Sequence, residues 1–211
     1  MELFFMTFGA LFSVMNPLGT VPIFTSLTNE NTKIERKKIA LKTSINVLVI
    51  LLISFYVGDY LLRFFGISLN SLKIAGGLII TSSGFALLTG QFSKHKGIKR
   101  ERVQKDIETR EEISLTPLAL PMIAGPGTIS LLINYNQEYD GFNNVMIIIL
   151  AMLSVTIIIF LILNSSDIIV KLLGASGINA LSRIIGFIVI ALGIEFIISA
   201  TTNIIMQLKL L

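Results

Sequence analysis

Long apolar runs separated by short polar connections set the first-order pattern of this chain. Six such runs can be read: Leu3 to Leu27, Ile39 to Leu62, Leu69 to Phe92, Pro117 to Tyr135, Val145 to Asn164 and Leu181 to Thr201. Each is close to the ~20 residues a helix needs to cross a hydrocarbon core. Strands buried on both faces also read as unbroken apolar runs, but those are short, whereas runs of this length predict membrane helices. The expected fold is all-α, a polytopic membrane protein with six transmembrane helices. The first run lacks a basic leading stretch and continues through Asn16-Pro17 without a small-residue cleavage site, so it is expected to stay in the mature protein.

Composition agrees with the pattern. Hydrophobic residues make up 53% of the chain and charged residues 14%, with a mean hydropathy of +0.82, whereas soluble domains carry roughly 25% charged residues. There is no Cys and a single His, His95, so thiol-ligated and histidine-based metal sites are both disfavoured and no cofactor is expected. The net charge of +4 comes from residues that flank the apolar runs, which makes it a topology signal and excludes nucleic acid as an expected partner.

The distribution of Lys and Arg predicts orientation. Lys33, Arg36, Lys37 and Lys38 follow the first run, and Lys94, Lys96, Lys99, Arg100, Arg102, Lys105 and Arg110 follow the third. The opposite loops carry Arg63, or Glu138 and Asp140. The basic side is expected to be cytoplasmic, which leaves both termini extracytoplasmic in a plasma-membrane, multi-pass arrangement. Residues 93–116 mix those bases with Glu101, Asp106, Glu108, Glu111 and Glu112 and read as a solvated linker, because interleaved acids offset attraction to anionic lipid.

The linker divides the chain into a first three-helix unit, 1–92, and a second, 117–211. Pro17 and Pro126 stand 109 positions apart, Gly19-Thr20 and Gly127-Thr128 108 apart, and Lys73 and Arg183, like Gly76 and Gly186, 110 apart. A near-constant shift implies a repeat, and a unit of three spans must enter the membrane the opposite way in its second copy. The expected architecture is two inverted three-helix repeats, a plan used by alternating-access transporters.

The first and fourth runs are broken at matching places, Asn16-Pro17-Leu18-Gly19-Thr20-Val21-Pro22 and Pro121-Met122-Ile123-Ala124-Gly125-Pro126-Gly127-Thr128. Proline has no N–H and its ring clashes with the carbonyl one turn back, so each run should split into two half-helices. Backbone groups freed in this way survive in a membrane only where protein or a watery cavity satisfies them, which points to a substrate site. Half-helices starting near Thr20 and Thr128 would aim N–H groups and positive dipole ends at an anion. Gly19, Gly125 and Gly127 would allow close approach, with side-chain donors and acceptors from Asn16, Thr20, Thr128 and Ser130. A small carboxylate, and a zwitterion especially, suits that arrangement. Two kinks serving only helix packing are the plainer alternative.

Met15-Asn16-Pro17-Leu18-Gly19-Thr20-Val21-Pro22-Ile23-Phe24, together with Pro121-Met122-Ile123-Ala124-Gly125-Pro126-Gly127-Thr128-Ile129-Ser130, resembles the paired signature of the MarC family of six-span membrane proteins. The resemblance runs end to end. It implies secondary transport of a small neutral amino acid such as glycine or alanine, since members of the family are grouped with small neutral amino acid transporters.

Among the other polar residues, Glu195 lies inside the sixth run, where a central charge costs ~2.5 to 3.5 kcal/mol on insertion scales. It is a candidate for proton coupling, or else reaches an interface. Lys73 and Arg183 are expected to extend their charged heads to the interface or to freed carbonyls. Gly76-Gly77, Gly84, Gly186 and Gly193 are spaced for close helix contact, between the repeats or between subunits of a homo-oligomer. No nucleophile elbow, Walker loop or metal motif is present, so no enzymatic activity is expected and transport should be gradient-driven. The expected partners are a small-molecule substrate, an amino acid, and membrane lipid. The alternatives are a channel or exporter for another small solute, and a non-transporting membrane scaffold.

Overall fold

The computed structural model describes residues 1–28, 31–90, 118–119 and 123–209. Among them every regular element is helical: α1 (Glu2–Met15), α2 (Pro17–Leu27), α3 (Lys33–Phe65), α4 (Leu69–Leu88), α5 (Pro126–Glu138), α6 (Phe142–Asn164) and α7 (Ser166–Lys209). The 93–116 linker, Pro117, Pro121, Met122 and His95 lie outside the described residues.

Among the described residues, five stretches are long and apolar enough to cross a membrane: Glu2–Thr25, Lys33–Phe65, Leu69–Leu88, Phe142–Asn164 and Ser176–Leu208. The first contains the break between α1 and α2, and it is also the most enclosed. Of its apolar stretch 56% is buried, against 33% for Lys33–Phe65, Phe142–Asn164 and Ser176–Leu208, so the interrupted helix lies inside and those three face outward. Of the expected fourth span, α5 supplies 13 helical residues, or about 20 Å at 1.5 Å per residue, too little to cross alone. Before α5, the Ala124 N–H donates to the Ala119 carbonyl at 2.9 Å. Leu118, Ala119, Ile123 and Ala124 there are all fully buried.

Two helices extend beyond the apolar runs. At the start of α3, Thr32 and Glu35 form a capping box in which each side chain accepts from the other's backbone N–H, satisfying two donors that a helix start leaves open. The basic residues Lys33, Arg36, Lys37 and Lys38 therefore form the first turns of α3 rather than a loop. Helix also occupies most of the expected connection after α6: α7 begins at Ser166 and is interrupted only at Gly174 (φ 61, ψ 175), a conformation that glycine alone adopts cheaply. Arg36 fastens this corner, its Nε donating to the Thr28 carbonyl and its guanidinium pairing with Asp167, both at 2.7 Å.

The main core joins α1, α2, α3, α5 and α6 through residues such as Leu11, Met15, Phe24, Leu51, Leu131 and Met152. A second cluster, Val14, Ile80, Leu87, Ile185 and Val189, joins α1, α4 and α7. The closest helix contact is between α4 and α7. A Cβ on Gly77 would stand 2.5 Å from the Gly193 carbonyl oxygen, and one on Gly84 2.8 Å from that of Gly186. The pairs run in opposite order along the two helices, so α4 and α7 are antiparallel with their backbones touching. Any side chain at these four glycines would force the helices apart, the small-residue packing that membranes favour.

Candidate functional site at the paired helix breaks

The first break is made by two adjacent residues. Pro17 has no N–H for the Ser13 carbonyl, and Asn16 takes the left-handed conformation (φ 43, ψ 63), the sole non-glycine residue with positive φ among those described. Asparagine tolerates this region because its amide can bond locally. The Asn16 N–H still closes α1 on the Phe12 carbonyl at 3.0 Å, and the Asn16 Oδ1 caps α2 by accepting from the Gly19 N–H at 3.4 Å. The carbonyl end of α1 and the N–H end of α2 thus meet at one buried point, with opposite partial charges side by side. Asn16 and Thr20 are both fully buried. The Thr20 hydroxyl donates back to the Pro17 carbonyl at 2.6 Å.

The second break is built differently. Gly125 is the N-cap of α5 in extended backbone (φ −81, ψ 176), without a side-chain cap, and Pro126 occupies the first helical position, where its missing N–H costs nothing. Gly127, Thr128 and Ser130 are buried behind it. A Cβ on Gly127 would meet Ile80 Cγ1 at 3.0 Å and Val14 Cγ1 at 3.5 Å. Val14 precedes Asn16 by two residues, so the two breaks lie beside one another across the Val14–Ile80 cluster. The Ser130 hydroxyl donates to the Leu72 carbonyl of α4 at 3.4 Å and lies against Gly76.

The expected substrate residues Asn16, Gly19, Thr20, Gly125, Gly127, Thr128 and Ser130 therefore all sit at the two breaks. Glu195 lies apart from them, exposed on the outer flank of α7. Lys73 is buried, and its ammonium pairs with Glu138 at 3.2 Å. The Asn134 amide donates to the same carboxylate oxygen at 3.1 Å. Arg183 is exposed, so the two cations matched by sequence position occupy different environments.

Sequence reasoning missed Ser182. It is buried on α7, and its hydroxyl lies 3.4 Å from where a Cβ on Gly19 would stand. Its neighbour Arg183 drew the attention, and nothing in the local pattern marks which face of α7 turns toward α2. Among the described residues, no group of three His, Cys, Asp or Glu side chains can hold a metal ion.

Comparison with known proteins agrees with this architecture. A UPF0056 membrane protein of Buchnera aphidicola subsp. Acyrthosiphon pisum is 40% identical over 190 residues, 90% of this chain and 87% of that protein. The UPF0056 membrane protein YhcE of Escherichia coli (strain K12) is 34% identical over 201 residues, 95% and 93% of the two chains. The UPF0056 inner membrane protein MarC of Citrobacter koseri is 34% identical over 203 residues, 92% of each. No solved structure matches the chain. The family described as MarC family integral membrane protein matches residues 1–205, nearly the whole length. With that match, five membrane-length apolar helices and both Pro/Gly breaks, this chain belongs to the MarC family of integral membrane proteins.

Proposed function

We propose that the chain is a secondary transporter of small neutral amino acids, such as glycine or alanine, working by alternating access around the two breaks. The observation that carries this reading is the proximity of both breaks in the buried interior, where Gly127 behind the second faces Val14 beside the first, and Asn16, Thr20, Thr128 and Ser130 are all buried. Broken helices that face each other at mid-membrane are the usual frame of a transporter site.

Two inverted repeats fit the packing. α2 packs on α6 and α7 as α5 packs on α3 and α4. Gly77 and Gly186, like Gly84 and Gly193, stand 109 positions apart, the same shift as Pro17 and Pro126. That shift exchanges the two glycine contacts between α4 and α7, as an in-plane two-fold axis would. The basic first turns of α3 support a topology with both termini outside a plasma membrane, and relatives are named as inner membrane proteins. No catalytic role is proposed.

Glu195 stands about 5 Å along the helix from the midpoint of the Ser176–Leu208 stretch, counted at 1.5 Å per residue. A carboxyl exposed at that depth is better placed to meet a second copy of the chain, or to carry a coupling proton, than to touch substrate.

The test is uptake and counterflow of labelled glycine and alanine in proteoliposomes. Saturable flux in the native chain that falls by about tenfold or more in Thr20→Val and Thr128→Val at equal incorporation is expected, the scale of losing one buried polar contact. Absence of flux under every imposed gradient would remove the amino acid reading.

A further inference from the structure

Two buried polar atoms converge on Gly19 from opposite halves of the chain. Asn16 is fully buried, and its Oδ1 accepts at 3.4 Å from the Gly19 N–H, which also donates to the Asn16 carbonyl at 3.1 Å, leaving Nδ2 turned toward Gly19. That Nδ2 has no hydrogen-bond partner among the described residues, and neither has the Oγ of Ser182, a residue 7% exposed. A Cβ on Gly19 would collide with Asn16 Nδ2 and stand 3.4 Å from Ser182 Oγ, so both atoms face the space that glycine leaves open. Burying a donor without an acceptor is costly, and here two stand together beside a residue already strained into positive φ. Strain and unpaired groups gathered in one place are characteristic of ligand sites.

The chemistry of these groups selects a ligand. Amide Nδ2 can only donate, a serine hydroxyl can donate, and the N-terminus of the 11-residue α2 favours negative charge. The geometry points to Asn16 Nδ2 and Ser182 Oγ as the subsite for the carboxylate of the transported solute, with Gly19 providing room for it. Ser182 is thereby a substrate-binding residue contributed by α7, and the solute's ammonium is directed away from α2. This rests on the transport reading for its cargo, but not for the binding of a carboxylate.

Titration of the purified full chain in nanodiscs with glycine, propionate and methylamine, read as the thermal midpoint, tests the assignment. Glycine and propionate are expected to raise the midpoint of the native chain, and methylamine to leave it unchanged. Ser182→Ala should raise the half-saturating concentration of both carboxylates by about tenfold, one lost charge-assisted contact, and Ser182→Thr should restore most of it. Asn16→Gly, which keeps the backbone shape, should lose the same response if Ser182→Ala fails to fold. An unchanged response in these variants, stabilisation by methylamine rather than propionate, or no carboxylate response in the native chain would each overturn the assignment. A propionate response that Ser182→Ala abolishes, in a chain that carries no amino acid in liposomes, would keep the subsite and discard the transport reading.

Discussion

The two breaks look alike in sequence and differ in structure. At the first, Asn16 sits in the left-handed region with its amide turned onto Gly19, and a Cβ on Gly19 would strike that amide. At the second, Gly125 is in ordinary extended backbone, no side chain caps α5, and the space left by Gly127 faces the apolar atoms of Ile80 and Val14. The glycine of the first break opens onto an unpaired amide, whereas that of the second opens onto apolar side chains. Matching Pro and Gly positions establish that a helix stops; the side chains delivered by other helices decide what the stop is for.

The largest expected effect separates the two glycines. Gly19→Ala places a methyl group on the Asn16 amide, so carboxylate binding and glycine flux should fall by about tenfold or more, the loss of at least one buried polar contact. Gly127→Ala meets Ile80 Cγ1 at 3.0 Å, a contact relieved by a shift of a few tenths of an ångström, and should reduce flux by no more than about threefold. Equal losses in proteoliposome uptake would mean that the breaks do the same job.

A smaller effect distinguishes the shape of Asn16 from its amide. Asn16→Gly retains the left-handed turn and should stay within a few tenths of a kcal/mol of native stability, since glycine substitutes for a capping residue at little cost. Asn16→Ala adds a left-handed penalty of roughly 1–2 kcal/mol. Both variants lack Nδ2, so both should lose carboxylate binding equally while their thermal midpoints differ. Retained binding in Asn16→Gly would move the polar role away from the amide.

The sequence made the breaks legible because Pro and Gly act through local backbone constraints that no distant contact can override. That the chain is all-helical and membrane-embedded was legible for a similar reason, since crossing a membrane demands a run of apolar residues whatever the fold. Ser182, the burial of Lys73 and the outward placement of Glu195 were not. In a soluble helix the apolar stripe marks the buried face, but a membrane helix is apolar all round, and α7 offers no periodicity to show which side meets α2. The glycines announced a close contact without naming the partner. The helical start of α7 was hidden because Ser165, Ser166, Asp167 and Lys171 break the apolar pattern between the fifth and sixth runs, and the helix there is interrupted only at Gly174, in positive φ.

The smallest expected effect concerns Lys73, whose position corresponds to Ser182 under the 109-residue shift that exchanges the glycine contacts. Lys73 already has its partner: its ammonium meets Glu138 at 3.2 Å, and Asn134 donates to the same oxygen. The pair ties α4 to the end of α5 beside the second break, whereas Ser182 is left unpaired beside the first. Lys73→Met removes the buried charge together with the pair and should lower stability by no more than about 1–2 kcal/mol. Glu138→Gln leaves the ammonium buried without its counter-ion and should cost more, limited by the exposure of Glu138, 44% in its side chain. Neither change should alter the half-saturating concentration of propionate. A shift as large as that of Ser182→Ala would show that the second break also presents charge to the solute, and the division of labour between the two breaks would fall.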